Sequence, residues 1–233
     1  ADLVIDFNAC TSIVKRGNSG QYNLKPVISV FQRVVSSIEG YVTNTFVLGS
    51  TTISAQVNGV KVRATAPDST GKFSIPFLGA GTYDVVVMSD GRSTAVITGV
   101  PVSAGAKTVV NGTATSITTL PSTMRTVSGA LLTTTGNALT DGRVRAVQTL
   151  AGNLPIEAAN VAVDGDTAAY SLRLPNATPM RAAYSSTQSP GFTGDATNAG
   201  KYVIQALVPG RTTQEKTADL TTSDTATSFS FAP

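Results

Sequence analysis

Apolar and polar positions alternate in short runs along this chain, with turn-forming residues roughly every 8–12 positions, the spacing of sandwich strands. Residues 2–7, Asp-Leu-Val-Ile-Asp-Phe, predict a first strand. Arg16-Gly17-Asn18-Ser19-Gly20 is a turn, rich in residues that accept positive φ. A strand resumes over 21–31, with Pro26 confining it to an edge or a bend. Residues 1–31 therefore read as a hairpin or strand pair with too little apolar surface to stand alone. Two-stranded hairpins are marginal in water, so this segment must pack on something else.

Beyond it lies a first unit. Val34–Val42 and Ile53–Val57 read as strands, and Gly59-Val60-Lys61-Val62-Arg63-Ala64 alternates at period two. Asp68–Gly71 is a turn into Lys72–Ile75, and Leu78–Tyr83 turns into Asp84–Met88. Asp90-Gly91 is a hairpin signal, and strands near 94–102 and 107–117 complete the set. A second unit repeats this punctuation. Val127–Leu131 echoes Ile38–Val42, Gly142–Ala146 echoes Gly59–Ala64, and Thr167–Leu172 echoes Thr70–Ile75. Such self-similarity marks a duplicated module. Residues 185–200 read as a long polar loop, and Thr118–Thr123, containing Pro121, as the linker. The expected organisation is an N-terminal strand segment over 1–33, a first β-sandwich over 34–120 and a second over 121–233.

Composition supports an all-β fold. Hydrophobic residues make up 41% of the 233, enough for real cores, but charged residues only 13%, about half the usual share of roughly 25%. Thr, Ser, Val, Ala and Gly fill the difference, and β-branched side chains fit a pleated surface. The net charge of +3 comes from scattered residues, without the basic face of a nucleic-acid binder. No run is long and apolar enough to span a membrane. Low charge with abundant Thr and Ser suits an extracellular or cell-surface protein, and the start at Ala1-Asp2-Leu3 without Met suggests that something upstream was removed.

Gly40, Val60–Ala64, Gly71-Lys72-Phe73-Ser74-Ile75, Leu78-Gly79-Ala80-Gly81-Thr82-Tyr83 and Gly99-Val100-Pro101-Val102 stand in an order that resembles the carboxypeptidase regulatory-like family. That resemblance covers about 80 residues of the chain and implies an immunoglobulin/transthyretin-like β-sandwich. The second unit is similar to the same family more loosely. Gly81-Thr82-Tyr83 has no exact counterpart there, and Pro179-Met180-Arg181-Ala182 stands instead. Asp6-Phe7, Ser12-Ile13-Val14, Gly17-Asn18, Tyr22 and Leu24–Ile28 resemble the closing segment of domain of unknown function 4382, found in bacterial surface lipoproteins. That would make the N-terminal strands a remnant whose own sheet lies upstream, and it implies no catalysis.

Candidate chemistry is sparse. With no histidine, no Ser-His-Asp or Cys-His arrangement exists, and the single cysteine, Cys10, makes neither an internal disulfide nor a Cys-based zinc site. Asp164-Gly165-Asp166 reads as turn chemistry, with a calcium loop as the sharper alternative. Lys107 or Lys61 with Asn111 would be the candidates for an isopeptide cross-link. Tyr22, Phe31, Tyr41, Phe46, Phe73, Phe77 and Tyr83 are expected in cores. The expectation is thus no enzyme, no cofactor and no metal.

The leading expectation is a structural subunit of a bacterial surface assembly, a homopolymer or filament. Leu3, Val4, Ile5 and Phe7 would form its interface by adding their strand to a neighbouring sheet. The alternatives are a surface adhesin using loop 185–200 to bind a cell-surface or host ligand, or accessory domains of a secreted enzyme.

Overall fold

The computed structural model describes residues 3–7, 12–32, 36–187 and 189–232. Among them every element longer than three residues is a strand, so the chain is all-β. The N-terminal segment contributes β1 (Leu3–Phe7), β2 (Ile13–Arg16), β3 (Gln21–Leu24) and β4 (Ile28–Gln32). Their pairing is nested. β1 runs antiparallel to β4, from Leu3 opposite Gln32 to Phe7 opposite Ile28, and β2 runs antiparallel to β3. The result is one interrupted hairpin whose tip, residues 17–20, begins and ends on glycines with φ of 46° and 73°.

Seven strands follow: β5 (Ser37–Tyr41), β6 (Thr52–Val57), β7 (Val60–Thr65), β8 (Lys72–Pro76), β9 (Gly81–Met88), β10 (Ala95–Val102) and β11 (Lys107–Val109). They form two facing sheets, β11-β5-β8 and β10-β9-β6-β7. Ile38, Phe73 and Ile75 from the first meet Ile53, Val85, Val87 and Ile97 from the second in one fully buried cluster. Period-two alternation produces this packing, since every second residue of a strand points to the same face.

The rest of the chain supplies β12 (Met124–Thr133), β13 (Arg143–Leu150), β14 (Leu154–Ala162), β15 (Ala169–Pro175), β16 (Met180–Ala183), β17 (Thr193–Gly194), β18 (Lys201–Leu207), β19 (Gln214–Asp219), β20 (Thr225–Ala226) and β21 (Phe229–Phe231). One sheet runs β15-β12-β20, with β21 also parallel to β12, and the other β14-β13-β18-β19. Val127, Leu131, Leu172 and Phe229 pack across to Val144, Ala146, Ile204 and Ala206. Strand for strand, this repeats the order of the first unit.

The duplication extends to single residues. Gly40 lies opposite Phe73 on paired strands, and Gly129 lies opposite Tyr170. A Cβ on Gly40 would come within 2.7 Å of the Phe73 ring, and one on Gly129 would collide with the Thr227 carbonyl. Both units thus need glycine where the segment beside the third strand crowds the backbone, Val110 and Asn111 in the first and Thr227 and Ser228 in the second. The counterpart of Gly81-Thr82-Tyr83 is Gly200-Lys201-Tyr202, not the Pro179–Ala182 segment. Tyr83 and Tyr202 are both buried near the start of corresponding strands. Tyr83 donates to the Gly79 carbonyl at 2.9 Å, and Tyr202 to that of Pro175 at 2.6 Å. Burial pushes both phenols above their ordinary range.

Residues 176–199 are an insertion, placed where the first unit has only a short turn. The insertion departs from the division at residue 120. Its β16 adds in parallel to β10, from Ala95 opposite Met180 to Thr98 opposite Ala183, and β17 pairs with β16. The first unit's sheet thereby becomes six strands wide. The insertion, which contains the long polar loop expected over 185–200, is pinned at several points. Asp195 accepts the Ala151 N–H at 2.6 Å, Arg181 donates to the Ala151 carbonyl at 2.7 Å, and Gln148 donates to the Asn198 carbonyl at 2.7 Å.

A third cluster explains why the units hold together. Val86 and Val96 point away from the first core and meet Leu150 and Ile156 of the second unit. Beside them the Gln56 side-chain amide takes both backbone groups of Glu157, donating to its carbonyl at 2.9 Å and accepting its N–H at 2.8 Å. The buried Glu157 carboxylate is paired with Lys61 at 3.3 Å and Arg145 at 3.6 Å. A charge at such depth is tolerated only when paired. The units are therefore expected to melt as one, with a single calorimetric transition whose van't Hoff and calorimetric enthalpies agree. Ile156→Ala is expected to cost about 2–5 kcal/mol and to lower Tm by roughly 5–15 °C at this chain length. Two separate transitions in the unaltered protein would contradict this coupling.

Candidate assembly interface

Leu3, Val4, Ile5 and Phe7 all fall on β1, and β1 is already paired with β4. The side chains of Leu3 and Val4 lie outside the described residues. Ile5 is 71% exposed and Phe7 44%. Directly opposite them on β4 stand Val30, 58% exposed, and Ile28, 55% exposed. Cross-strand partners share a face, so these four form an apolar quartet on one side of a two-stranded ribbon. Neither outer edge of that ribbon is paired among the described residues. Ile13 and Leu24, partners across β2 and β3, are exposed in the same way.

The missed residues are those of β4. Their signal is the Ile28-Ser29-Val30 alternation in the strand read over 21–31. Pairing to β1 across twenty intervening residues is what converts them into half of an apolar face, and no local pattern encodes that pairing.

The tip of the hairpin docks on the second unit. Gly165 donates its N–H to the Lys15 carbonyl at 2.8 Å, and Gly17 donates its N–H to Asp164 Oδ2 at 2.9 Å. Lys25 reaches the Thr140 carbonyl at 2.9 Å and Asp141 at 2.6 Å, and Arg16 meets Asp166 at 3.4 Å. Val14 is buried in this contact, below an open groove lined by Ile13, Tyr22, Val161 and Tyr170. These exposed ion pairs contribute little each, about 0–1 kcal/mol, so the backbone bonds and Val14 set the docking.

Asp164 therefore serves the turn and the dock. Its Oδ1 accepts the N–H of Asp166 and the N–H and hydroxyl of Thr167, and its Oδ2 accepts Gly17. The Thr167 N–H is the chief cause holding this carboxyl below its ordinary value. Desolvation opposes it, and Asp166, the Thr167 hydroxyl and Gly17 add to it. No group of three metal-ligating side chains occurs among the described residues.

The remaining candidates are dispersed. Lys107 pairs with Glu39 at 3.1 Å and Lys61 with Glu157. The Asn111 amide is committed to backbone, accepting the Tyr41 N–H at 2.7 Å and donating to the Tyr41 and Thr115 carbonyls. Neither lysine is brought to Asn111 by these contacts. Phe46, Phe73 and Tyr83 are buried in the first core, whereas Tyr22 is exposed. The Phe31 side chain lies outside the described residues. No helix among the described residues is long and apolar enough to cross a membrane.

No protein-family model matches the chain, and no curated protein matches it. Several solved structures are similar in part. The TIE protein of Bacillus anthracis aligns over 91% of this chain and 37% of its own, at 12% identity and a TM-score of 0.31. A "putative carbohydrate binding protein" from Bacteroides uniformis aligns over 78% of this chain and 95% of its own, at 14% identity and a TM-score of 0.28. Fervidolysin from Fervidobacterium pennivorans, a keratinolytic enzyme related to subtilisin, aligns over 80% and 27%, at 16% identity and a TM-score of 0.27. The chain spans well under half the length of the first of these. Likenesses this distant carry no functional argument.

The docking has a pH signature. A depressed carboxyl stabilises above its unfolded value, about 3.9, and that contribution is lost as pH falls through the lower folded value. The Gly17 amide resonance is expected to titrate with Asp164 at a midpoint below about 3.9, and Asp164→Asn is expected to abolish that titration. A midpoint at or above the unfolded value would contradict the contact.

Proposed function

We propose that this chain is a structural subunit of an extracellular bacterial surface assembly, polymerised through its N-terminal β1–β4 ribbon. The observation that carries the reading is the exposed quartet of Ile5, Phe7, Ile28 and Val30 on a two-stranded ribbon with both edges unpaired among the described residues. Burying a large aliphatic or aromatic side chain is worth about 1.5–3 kcal/mol, and an isolated ribbon is marginal. Four such side chains therefore favour a cover of several kcal/mol in sum. A free edge beside an apolar face is the geometry of strand addition, in which main-chain bonds give affinity and the side-chain face gives specificity.

The pairing of β1 with β4 changes the unit that is added. A two-strand ribbon, rather than a lone strand, meets the neighbouring sheet, so the donor arrives already ordered and loses less entropy on docking. The extracellular placement rests on composition alone, the low charge and the wealth of Thr and Ser. The segment 185–200, the main element of the adhesin alternative, is anchored through β17 on β16 and through Asp195 on Ala151.

Deleting residues 1–9 is expected to abolish concentration-dependent polymers in light scattering and negative-stain images. The calorimetric transition of the sandwiches should survive. Fibres that persist unchanged after the deletion would overturn the reading.

A further inference from the structure

We propose that the side chains of Lys61 and Asn160 join in an intramolecular amide, a covalent cross-link between the two units that forms with the help of Glu157. The inference stands whether or not the ribbon polymerises. Asn111, the partner expected from sequence, is spent on backbone groups. The asparagine that shares a carboxylate with Lys61 is Asn160. Lys61 Nζ lies 3.3 Å from Glu157 Oε1, and Asn160 Nδ2 donates to Glu157 Oε2 at 3.3 Å.

Two β-bulges aim these side chains. In the β6–β7 pairing Ala55 faces Arg63 and Gln56 faces Lys61, which leaves Val62 as an extra residue. In the β13–β14 pairing Ala146 faces Ala159 and Val147 faces Glu157, which leaves Ala158 as an extra residue. Residues three apart on a regular strand point to opposite faces. The extra residue returns Glu157 and Asn160 to one face. The approach of Lys61 from the first unit is held on both sides. Gln56, its cross-strand partner, binds both backbone groups of Glu157, and a Cβ on Gly59 would come within 2.9 Å of Pro155. Among the described residues, Asn160 Oδ1 is buried with no hydrogen-bond partner, and Glu157 Oε1 has the Lys61 ion pair but no hydrogen bond. Buried polar atoms are rarely left so.

The chemistry uses each of these atoms. Lys61 passes its ammonium proton to Glu157, and the freed amine attacks Asn160 Cγ. As the Nζ–Cγ bond forms, negative charge gathers on Oδ1. Arg145, directly opposite Asn160 and 3.6 Å from Glu157 Oε2, supplies the neighbouring positive charge. Glu157 gives its proton to Nδ2 and takes the one shed by Nζ. The Cγ–Nδ2 bond breaks, and the nitrogen leaves as ammonium. An amine and a primary amide become a secondary amide, Glu157 ends as it began, and no redox step is involved. The Lys61 side chain is 27% exposed, which leaves it room to swing from Oε1 to Cγ, whereas the carboxylate, 3% exposed, is closed to competing water.

The intact mass of the unaltered chain tests the link. It is expected about 17 Da below the mass of the sequence, one ammonia. A tryptic digest is expected to yield one branched peptide joining the segment around Lys61 to the segment around Asn160. Lys61→Arg keeps a cation beside Glu157 but cannot form the amide, so it should fold, by circular dichroism, and carry its full mass. Glu157→Gln should slow the ammonia loss at least ten-fold. An unaltered chain of full mass with no branched peptide overturns the cross-link. The same mass loss surviving in Lys61→Arg also overturns it and places the loss in a succinimide, as at Asn58-Gly59. If Lys61→Arg fails to fold, the branched peptide of the unaltered chain decides alone.

Discussion

Val85 and Val87 point into the first core and their neighbour Val86 into the cluster shared with Leu150 and Ile156. The central sheet of the first unit is therefore apolar on both faces and needs two covers. One is its own small sheet, β11-β5-β8, and the other is the second unit. An antiparallel sheet usually leaves one face to water. Here the hydrophobic penalty for doing so binds the two copies of the module into one body. The Gln56 and Glu157 contacts then satisfy the polar groups that this burial strands.

The insertion between β15 and β18 strengthens that bond. It lies where the two modules differ most in sequence, and it crosses to β10 instead of forming a surface loop. Backbone groups at the β10 edge are paired by Met180–Ala183, so an edge that could template aggregation is closed. The two units share one strand order, and the inserted segment of the second joins it to the sheet of the first.

The N-terminal ribbon obeys the same physics with the opposite result. Its tip is held by Val14, Asp164 and Gly165, yet the β1–β4 part keeps an apolar face and, among the described residues, two open edges. Every comparable apolar sheet face elsewhere in the described chain has a cover.

Local pattern by itself determined the all-β class, the positions of most strands and the turn at residues 16–20. These follow from period-two alternation and turn chemistry, which depend only on neighbours in sequence. The echo of Gly40 with Phe73 in Gly129 with Tyr170 was readable for the same reason. The counterpart of Tyr83 was not, because a 24-residue insertion, residues 176–199, separates Tyr202 from the segment that should precede it. Only tertiary structure decided that β16 belongs to the first unit's sheet, that β1 and β4 share an apolar face, and that the tip of residues 17–20 rests on Asp164. Each is a pairing between segments far apart in sequence, settled by which surfaces remain to be covered after the local elements have formed.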